Sequence, residues 1–308
     1  MARRRLIVVP SYIRDALPAG LPDVVELDEG GSLDMATLED VAFYVRAYYA
    51  SRREGEILAQ MPNVEVVQTL TAGVDDVLPY LPQGVTLCNA AGVHDASTAE
   101  LAVGLMIAMQ RGIHEYRDRQ HAGEWRHEFR PALADSRVLV IGAGNIASAI
   151  VRRLAPFEVQ VDRIGRTARI DDLGPVHDMS ALDELLPQAD IVSLIVPLTS
   201  ETMRLVDARF LERMKPGALL VNTARGGVVD TDALVAALDA GHIRAALDVT
   251  DPEPLPADHP LWRAPNCLIT PHIGGDTSAF LPRAKRLVAA QVDRWLRGES
   301  LEHRIVPT

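Results

Sequence analysis

The stretch that decides the fold lies near the middle of the chain, where residues 138–147 read Val-Leu-Val-Ile-Gly-Ala-Gly-Asn-Ile-Ala. Its first four residues predict a buried strand, and the apolar spacing up to Leu154 predicts a helix directly after the glycines. In a G-x-G-x-x-A turn between strand and helix, the first glycine makes the tight turn. The second lets a pyrophosphate approach the backbone, while the helix amides face the anion. The segment therefore favours dinucleotide binding over a purely structural turn. Its predicted contacts are Gly142, Gly144, Asn145 and Ile146.

Apolar runs alternate with helix-like segments on both sides of this turn, which predicts an α/β protein with a parallel sheet in each half. The strands predicted before the turn are 6–9, 43–45, 64–70 and 85–88. Those predicted from the turn onward are 138–141, 159–164, 191–196, 218–221, 245–247 and 267–269. Six strands joined by crossovers match a doubly wound dinucleotide-binding sheet. A long helix is expected to start at the capping box Ser97-Thr98-Ala99-Glu100.

The end of the chain predicts a discontinuous layout. An amphipathic stretch at 284–296 leads to a tail at 301–306 that is expected to return to the first domain. We therefore assign residues 1–95 with 282–308 to a substrate-binding domain and residues 96–281 to a dinucleotide-binding domain.

The composition excludes several classes of protein. With 308 residues, 48% of them hydrophobic, the chain can bury two ordinary cores. A formal charge of −11 argues against nucleic acid as the main partner. No run approaches the roughly 20 apolar residues of a membrane helix, and Pro10 ends the first apolar run too early for a signal peptide. The two cysteines, Cys88 and Cys267, lie in apolar runs, which disfavours a disulfide framework and fits a reducing cytoplasm.

The nucleotide preference depends on where the second strand of the dinucleotide-binding sheet ends. If that strand spans 159–164, its tip is Gly165-Arg166-Thr167, with Arg163 and Arg169 close by, and no carboxylate is present for the adenosine ribose. Guanidinium and hydroxyl donors suit a 2′-phosphate, so this register favours NADP, with Arg166 and Thr167 as contacts. If the strand ends instead at Asp162, that carboxylate would hold the ribose of NAD. We expect NADP, and NAD remains the alternative.

Polar or conformationally special residues follow each later strand of this sheet. The segments are Pro197-Leu198-Thr199, Asn222 to Gly227, Asp248, and Thr270 to Gly275. Because the carboxyl ends of parallel strands form one crevice, we expect Arg225, Glu253 and His272 to converge there with Asp248. Each alone has an ordinary structural explanation, as a polar cap or an ion-pair partner. Beside a nucleotide loop, a histidine that donates a proton and an arginine that binds negative charge together favour hydride transfer to a carbonyl.

Taken in order, these motifs closely resemble the D-isomer-specific 2-hydroxyacid dehydrogenase family. The resemblance rests on residues 214–227, on Asp248-Val249 with Glu253-Pro254-Leu255-Pro256, and on Thr270-Pro271-His272-Ile273-Gly274-Gly275. It covers nearly the whole chain, because Thr71-Ala72-Gly73-Val74-Asp75 is similar to the family's substrate-carboxylate loop. The resemblance implies a Rossmann dinucleotide-binding domain inserted into a flavodoxin-like α/β substrate domain, with the substrate enclosed between the two.

The resemblance also implies roles for the site residues. His272 would be the acid/base with Glu253 as its carboxylate partner, and Arg225 would bind the substrate carboxylate and polarise the keto group. Asp248 would hold the nicotinamide carboxamide. The backbone amides of Ala72, Gly73 and Val74 would bind the substrate carboxylate. Further expected cofactor contacts are Pro197, Thr223 and Gly274.

Departures from the family pattern narrow the substrate. Phosphite-oxidising members carry a lysine where this chain has Ala72, and formate-oxidising members pair their histidine with glutamine rather than with Glu253. We expect reduction of a small 2-keto acid, glyoxylate or hydroxypyruvate, with NADPH. Two alternatives stay open. The substrate could be a bulkier, aromatic acid if Tyr44, Tyr48 and Tyr49 line its pocket and are not core residues. The chain could also be a dinucleotide-sensing interaction protein, like the corepressors that share this fold.

The remaining features concern partners. The polar stretch 114–130 with Trp125 packs either on a second copy of the chain, as a homodimer, or over the core. The histidines outside the site, including His94, His114 and His259, show no metal-ligand spacing, so no metal site is expected.

Overall fold

The computed structural model describes residues 4–28, 31–49 and 56–305, and these residues form two compact units. One unit comprises Met1–His94 and Ser278–Thr308, and the other comprises Asp95–Thr277. The chain thus crosses between units at 94/95 and 277/278, whereas the sequence analysis set the divisions at 95/96 and 281/282. No helix in the described ranges is both long enough and apolar enough to span a bilayer.

The first unit is built on a six-stranded sheet of short strands, of which β1, β3 and β4 are fully buried. They are β1 (Leu6–Pro10), β2 (Val24–Leu27), β3 (Val41–Val45), β4 (Val66–Gln68), β5 (Thr86–Cys88) and β14 (Arg304–Ile305). The order β14-β5-β4-β3-β1-β2 is parallel apart from β14, which pairs antiparallel with β5. The predicted return of the tail to the first domain is therefore confirmed. The sequence analysis missed β2, whose residues are only partly buried and give a weak apolar signal.

Apolar layers cover both faces of this sheet. Its helices are α1 (Met35–Asp40) and, after the second unit, α8 (Phe280–Leu296). One core joins Ile7, Phe43 and Val66 to the buried side of α8, and the other surrounds Val8, Tyr44 and Val67. Tyr44 is completely buried in that second core, which confirms the core interpretation for this tyrosine.

The second unit contains another six-stranded sheet and a hairpin. The sheet strands are β6 (Arg137–Ile141), β7 (Gln160–Ile164), β10 (Ile191–Leu194), β11 (Leu219–Asn222), β12 (Arg244–Leu247) and β13 (Cys267–Ile269). All pair parallel in the order β13-β12-β11-β10-β6-β7. The six predicted strands are thus confirmed to within two residues at each end. The hairpin β8 (Arg169–Asp171) and β9 (Gly174–Val176), which the sequence analysis missed, borders β7 through a bridge between Ile164 and His177.

The helices of the second unit cover its sheet and anchor the loops of the site. They are α2 (Asp95–Gln110), α3 (Ile113–Ala122), α4 (Asn145–Leu154), α5 (Leu182–Leu185), α6 (Ala208–Arg213) and α7 (Thr231–Asp239). The predicted start of α2 at a capping box is wrong, because the helix already begins at Asp95. Ser97 and Thr98 are buried inside it and bond the Thr277 hydroxyl and the Gly274 carbonyl instead. Their hydroxyls are thus taken by tertiary contacts.

Candidate active site

Four neighbouring strands of the second unit end at the same level. Leu194 of β10 pairs with Asn222 of β11, which pairs with Leu247 of β12, and Leu247 pairs with Ile269 of β13. The residues after each strand therefore leave the sheet at one edge, which is where open parallel sheets bind ligands. This register explains why loops distant in sequence share one site.

His272 and Glu253 meet at this edge. Nδ1 of His272 lies 2.5 Å from Oε1 of Glu253, and each side chain keeps a little over two-fifths of its surface exposed. Because a carboxylate accepts, Nδ1–H donates to Glu253, which leaves Nε2 as the nitrogen able to exchange a proton with a ligand. The pair thus fixes the orientation of the imidazole.

The charges around this pair favour a protonated imidazole. The hydrogen bond that His272 donates to Glu253 raises the pKa of His272 above its ordinary value, with help from the charges of Glu253 and Asp248, against burial and the Arg225 charge. Burial would raise the pKa of Glu253, but its bonds to His272 and to the backbone of Thr250 and the Arg225 charge lower it. The site therefore pairs a carboxylate with a histidine that holds its proton to higher pH than a free side chain.

Asp248 holds the histidine loop in place. Its carboxylate accepts from the Thr270 hydroxyl at 2.6 Å and from the amides of Ile273 and Gly274, each at 2.9 Å. The Asp248 carbonyl accepts from the amide of His272 at 2.7 Å, and His272 has a left-handed backbone with φ of 54°. Such a conformation is uncommon for a residue with a side chain and persists where its surroundings fix it. Sequence reasoning missed Thr270, whose only signal is its place in the Thr-Pro-His run.

Arg225 belongs to the same charged cluster, since its charge acts on the pKa of both His272 and Glu253. Its guanidinium is half-buried and donates from Nη1 to the Ala224 carbonyl at 2.8 Å. The next residue must be glycine, because the chain passes directly against the loop that contains Thr250. A Cβ on Gly226 would lie 1.9 Å from the Thr250 carbonyl oxygen. The structure thus brings together Arg225, Glu253, His272 and Asp248, as the sequence analysis expected.

The phosphate loop has the geometry that a dinucleotide needs. Gly142 has φ of 127°, and a Cβ on it would lie 2.2 Å from the Ile195 carbonyl oxygen, so only glycine fits. A Cβ on Gly144 would meet nothing within 4 Å, and no side chain caps the first turn of α4. Asn145 and Ile146 begin that helix, and its third residue, Ala147, is buried. The loop therefore presents open backbone and uncapped helix amides to an anion.

The strand tip settles the register of β7. The strand ends at Ile164, and Asp162 lies inside it, where its carboxylate accepts from Nε of Arg137 at 2.6 Å. The alternative in which Asp162 terminates the strand is therefore wrong. Arg166 and Thr167 are exposed beyond the tip.

Two neighbouring arginines have different surroundings. Arg163 is buried and binds both carboxylate oxygens of Asp171, at 2.7 and 3.0 Å, so it anchors the β8–β9 hairpin instead of pointing to a ligand. The sequence analysis placed Arg163 close to the tip, but its side chain is buried and bound to Asp171, so it is not available to a ligand there. Arg169 is exposed and donates to the carbonyl of Ala143 in the phosphate loop at 2.8 Å.

Three other predicted cofactor contacts lie along the same edge. Pro197 is exposed after β10, and Gly274 is buried, with its amide bound to Asp248. The Thr223 hydroxyl is buried after β11, and no partner for it is found among the described residues. A buried hydroxyl without a partner is costly, so Thr223 fits a role in holding a ligand.

The first unit carries the remaining predicted contacts, Ala72, Gly73 and Val74, in the loop after β4. These residues are partly exposed. Their amides have no hydrogen-bond acceptor within the described ranges. Three consecutive amides of this kind can bind a carboxylate. The described ranges hold no cluster of three metal-ligating side chains, and Cys88 and Cys267 are both free thiols.

Comparisons with known proteins agree with this geometry. The family model described as D-isomer specific 2-hydroxyacid dehydrogenase, NAD binding domain, matches residues 103–274. A glyoxylate reductase from Thermofilum pendens is 37% identical over 257 residues, 80% of this chain and 76% of that protein. A D-isomer specific 2-hydroxyacid dehydrogenase from Xanthobacter autotrophicus, solved with NADPH and MES, is 30% identical with a TM-score of 0.84 and 99% of both chains covered. An NADPH-dependent glyoxylate/hydroxypyruvate reductase from Sinorhizobium meliloti, solved with NADP and sulfate, is 25% identical with a TM-score of 0.83 and 98% of both chains covered.

Proposed function

Because the chain belongs to the D-isomer-specific 2-hydroxyacid dehydrogenase family, we propose that it reduces glyoxylate or hydroxypyruvate with NADPH as hydride donor. It is an NAD(P)-dependent oxidoreductase that acts on the CH–OH group of 2-hydroxy acids. The observation that carries the proposal is the His272–Glu253 pair, held next to the Arg225 charge at the edge that follows the phosphate loop. The relatives named as glyoxylate or hydroxypyruvate reductases support these two acids over larger ones.

His272 is the proton donor of the proposed reaction. When bound, the nicotinamide supplies a hydride to C2 of the keto acid, and the developing alkoxide needs a proton. Protonated His272 gives its Nε2 proton to that oxygen, while Glu253 stabilises the imidazolium through Nδ1. Hydride plus proton convert the carbonyl into the hydroxyl, and the reverse reaction needs neutral His272 as the base.

Arg225 and the amides of the loop after β4 bind the substrate's charge. A guanidinium matches the planar carboxylate and polarises the adjacent keto oxygen, which favours hydride attack. We propose the amides of Ala72, Gly73 and Val74 as further donors to a substrate carboxylate. Asp248 has three of its acceptor positions occupied by the histidine loop, so its role toward the nicotinamide carboxamide rests on the remaining lone pairs.

NADP is the proposed cofactor because the strand tip presents cations and no carboxylate. Arg166, Thr167 and Arg169 are exposed there, and Asp162 is committed to Arg137. The phosphate loop, Pro197, Thr223 and Gly274 would hold the parts common to NADP and NAD. Two structural relatives solved with NADPH or NADP support this choice.

One panel tests the function. Loss of nicotinamide absorbance is followed with NADPH or NADH against glyoxylate, hydroxypyruvate, pyruvate and phenylpyruvate. The proposal expects NADPH-dependent turnover with the first two acids at the highest kcat/KM. A preference for NADH would contradict the role of the strand tip, and a preference for phenylpyruvate would contradict the small-acid assignment. Dinucleotide binding without turnover of any acid would favour the sensing protein, which the dehydrogenase relatives do not support.

We further propose that the protein works in the cytoplasm as a homodimer. The segment after α3 carries Trp125 and Phe129, both fully exposed, beside ion pairs that join Glu115 and Glu128 to Arg130. These rings contribute nothing to the cores of this chain, which favours a second copy over the core-covering alternative. Sedimentation should give about twice the 33.5 kDa of one chain, and replacing both rings with serine should shift it toward the monomer.

A further inference from the structure

The carbonyl groups at the start of the loop after β4 are all engaged in hydrogen bonds. Four consecutive residues, Leu70 to Gly73, each have a carbonyl that accepts a side-chain hydrogen bond. The donors are Nε2 of His94 to Leu70 at 2.7 Å, the Thr69 hydroxyl to Thr71 at 2.9 Å, Nδ2 of Asn89 to Ala72 at 2.7 Å, and the Thr71 hydroxyl to Gly73 at 2.7 Å. The backbone amide of Ala90 adds a second donor to the Thr71 carbonyl at 2.9 Å.

Peptide planarity converts these bonds into an orientation of the amides. In a trans peptide, the carbonyl of one residue points opposite to the N–H of the next. Holding the Thr71 carbonyl therefore directs the N–H of Ala72, and holding the Ala72 carbonyl directs the N–H of Gly73. The Gly73 carbonyl in the same way directs the N–H of Val74. For these three loop amides, no acceptor is found in the described part of the chain.

The donors themselves are fixed by the sheet. Asn89 directly follows β5, and its Oδ1 accepts from the amide of Ala91 at 3.2 Å, which sets the direction of its Nδ2. Thr69 is completely buried and receives its position from the bond between its amide and the Cys88 carbonyl at 2.8 Å. Asp76, close behind the loop, pairs with buried Arg46 at 2.8 Å, which limits its repulsion of an anion.

We propose that Asn89, Thr71 and Thr69 are positioning residues for the 2-keto acid carboxylate, each orienting one amide of the binding loop. The inference rests on the proposed function, because it assumes that the loop binds this carboxylate. None of the three needs to contact the substrate. Without its donor, a peptide can rotate and present a carbonyl oxygen to the anion in place of an N–H, which converts attraction into repulsion.

The size of the effect follows from how many donors hold each carbonyl. Asn89 and Thr71 are the sole donors found for Ala72 and Gly73 within the described ranges, whereas the Thr71 carbonyl keeps the Ala90 amide when Thr69 is changed. A hydrogen bond to a charged group contributes enough to change affinity by roughly 10- to 100-fold. We expect KM for glyoxylate to rise by about that factor in Asn89→Leu and Thr71→Val, and by less than about 10-fold in Thr69→Val.

The test compares Thr71→Val with Thr71→Ser, alongside Asn89→Leu. Valine matches the shape of threonine without the hydroxyl, and serine restores the hydroxyl in a smaller side chain. For each purified variant we would measure KM and kcat for glyoxylate, Ki for oxamate as a carboxylate analogue, KM for NADPH, and the thermal unfolding midpoint. The proposal expects raised KM and Ki in Thr71→Val and Asn89→Leu, values near wild type in Thr71→Ser, and an unchanged KM for NADPH in all three.

Two results would overturn the proposal while leaving the enzyme assignment intact. One is active wild-type protein with unchanged KM and Ki in both Thr71→Val and Asn89→Leu. The other is Thr71→Ser failing as badly as Thr71→Val, which would mean that the methyl group matters and not the donor. Wild-type protein that reduces none of the acids would instead reject the proposed function, and this inference with it.

Discussion

The two regions that we propose bind the keto acid, one in each unit, would recognise it by different chemistry. In the second unit the proposed working groups are side chains, namely His272, Glu253 and Arg225, and backbone amides bind Asp248 next to them. In the first unit the proposed working groups are the three backbone amides of Ala72, Gly73 and Val74, and side chains bond the carbonyls of the same loop. In the second unit, a sequence motif shows the proposed reacting side chains directly. In the loop after β4, it shows only small residues that leave the backbone amides accessible.

The largest expected effect breaks the side-chain region alone. His272→Ala removes the proton donor, and kcat for glyoxylate reduction should fall by about 10²- to 10⁴-fold. Oxamate affinity should change far less, because Arg225 and the loop amides stay in place. This is the mirror image of Asn89→Leu, which should raise KM with a smaller effect on kcat. Steady-state kinetics with oxamate inhibition checks it, and normal turnover in His272→Ala would show that another group delivers the proton.

A smaller effect is expected from Arg166→Ala, which separates side-chain recognition of the cofactor from backbone recognition of it. The phosphate loop offers its backbone to the pyrophosphate, which NADP and NAD share. The proposed contact at the strand tip is the exposed side chain of Arg166, which would bind the 2′-phosphate found only in NADP. Arg166→Ala should raise KM for NADPH by roughly 10- to 100-fold through the loss of a charge-assisted bond to the 2′-phosphate. KM for NADH should stay within about threefold, since that loss does not touch the shared part. Equal losses for both nucleotides would place Arg166 elsewhere than at the 2′-phosphate.

The subtlest expected effect is a displaced pH profile. The hydrogen bond that His272 donates to Glu253 raises the pKa of His272. Because reduction needs the protonated form, the reductive rate should be full at low pH and decline as pH rises through that raised pKa. Oxidation of the hydroxy acid should show the opposite limb. Glu253→Gln keeps an acceptor but removes the charge, so the decline should begin at lower pH, with less than about 10-fold loss below it. Rates of reduction measured from about pH 5 to about pH 10 for both proteins test this. If the decline occurs at the same pH in Glu253→Gln as in wild type, a group other than the His272–Glu253 pair causes it.

Much of the second unit could be predicted from the sequence, because its elements are tied to residue type and strand position. Six strands of the second sheet and the edge that gathers Arg225, Glu253 and His272 follow from apolar runs and parallel pairing. Prediction failed where side chains serve tertiary contacts. Arg163 of β7 pairs with Asp171 of the hairpin, and Ser97 bonds to Thr277 in place of capping a helix. The first pair depends on how the hairpin folds back on β7 and the second joins residues 180 positions apart, so local pattern could not reveal either.

The sequence alone was enough to identify the fold class, the phosphate loop and the residue types proposed to assist hydride transfer, because a glycine turn, an imidazole and a guanidinium carry their chemistry wherever they are placed. Only the tertiary structure decided the register of β7, which gives Asp162 to Arg137. It alone also shows the bonds from Thr69, Thr71 and Asn89 to the loop carbonyls, by which we propose that the direction of the loop amides is set. The physical reason is that a peptide N–H is the same group in every residue. Its function depends on where it points, and that direction comes from contacts that only the folded chain makes.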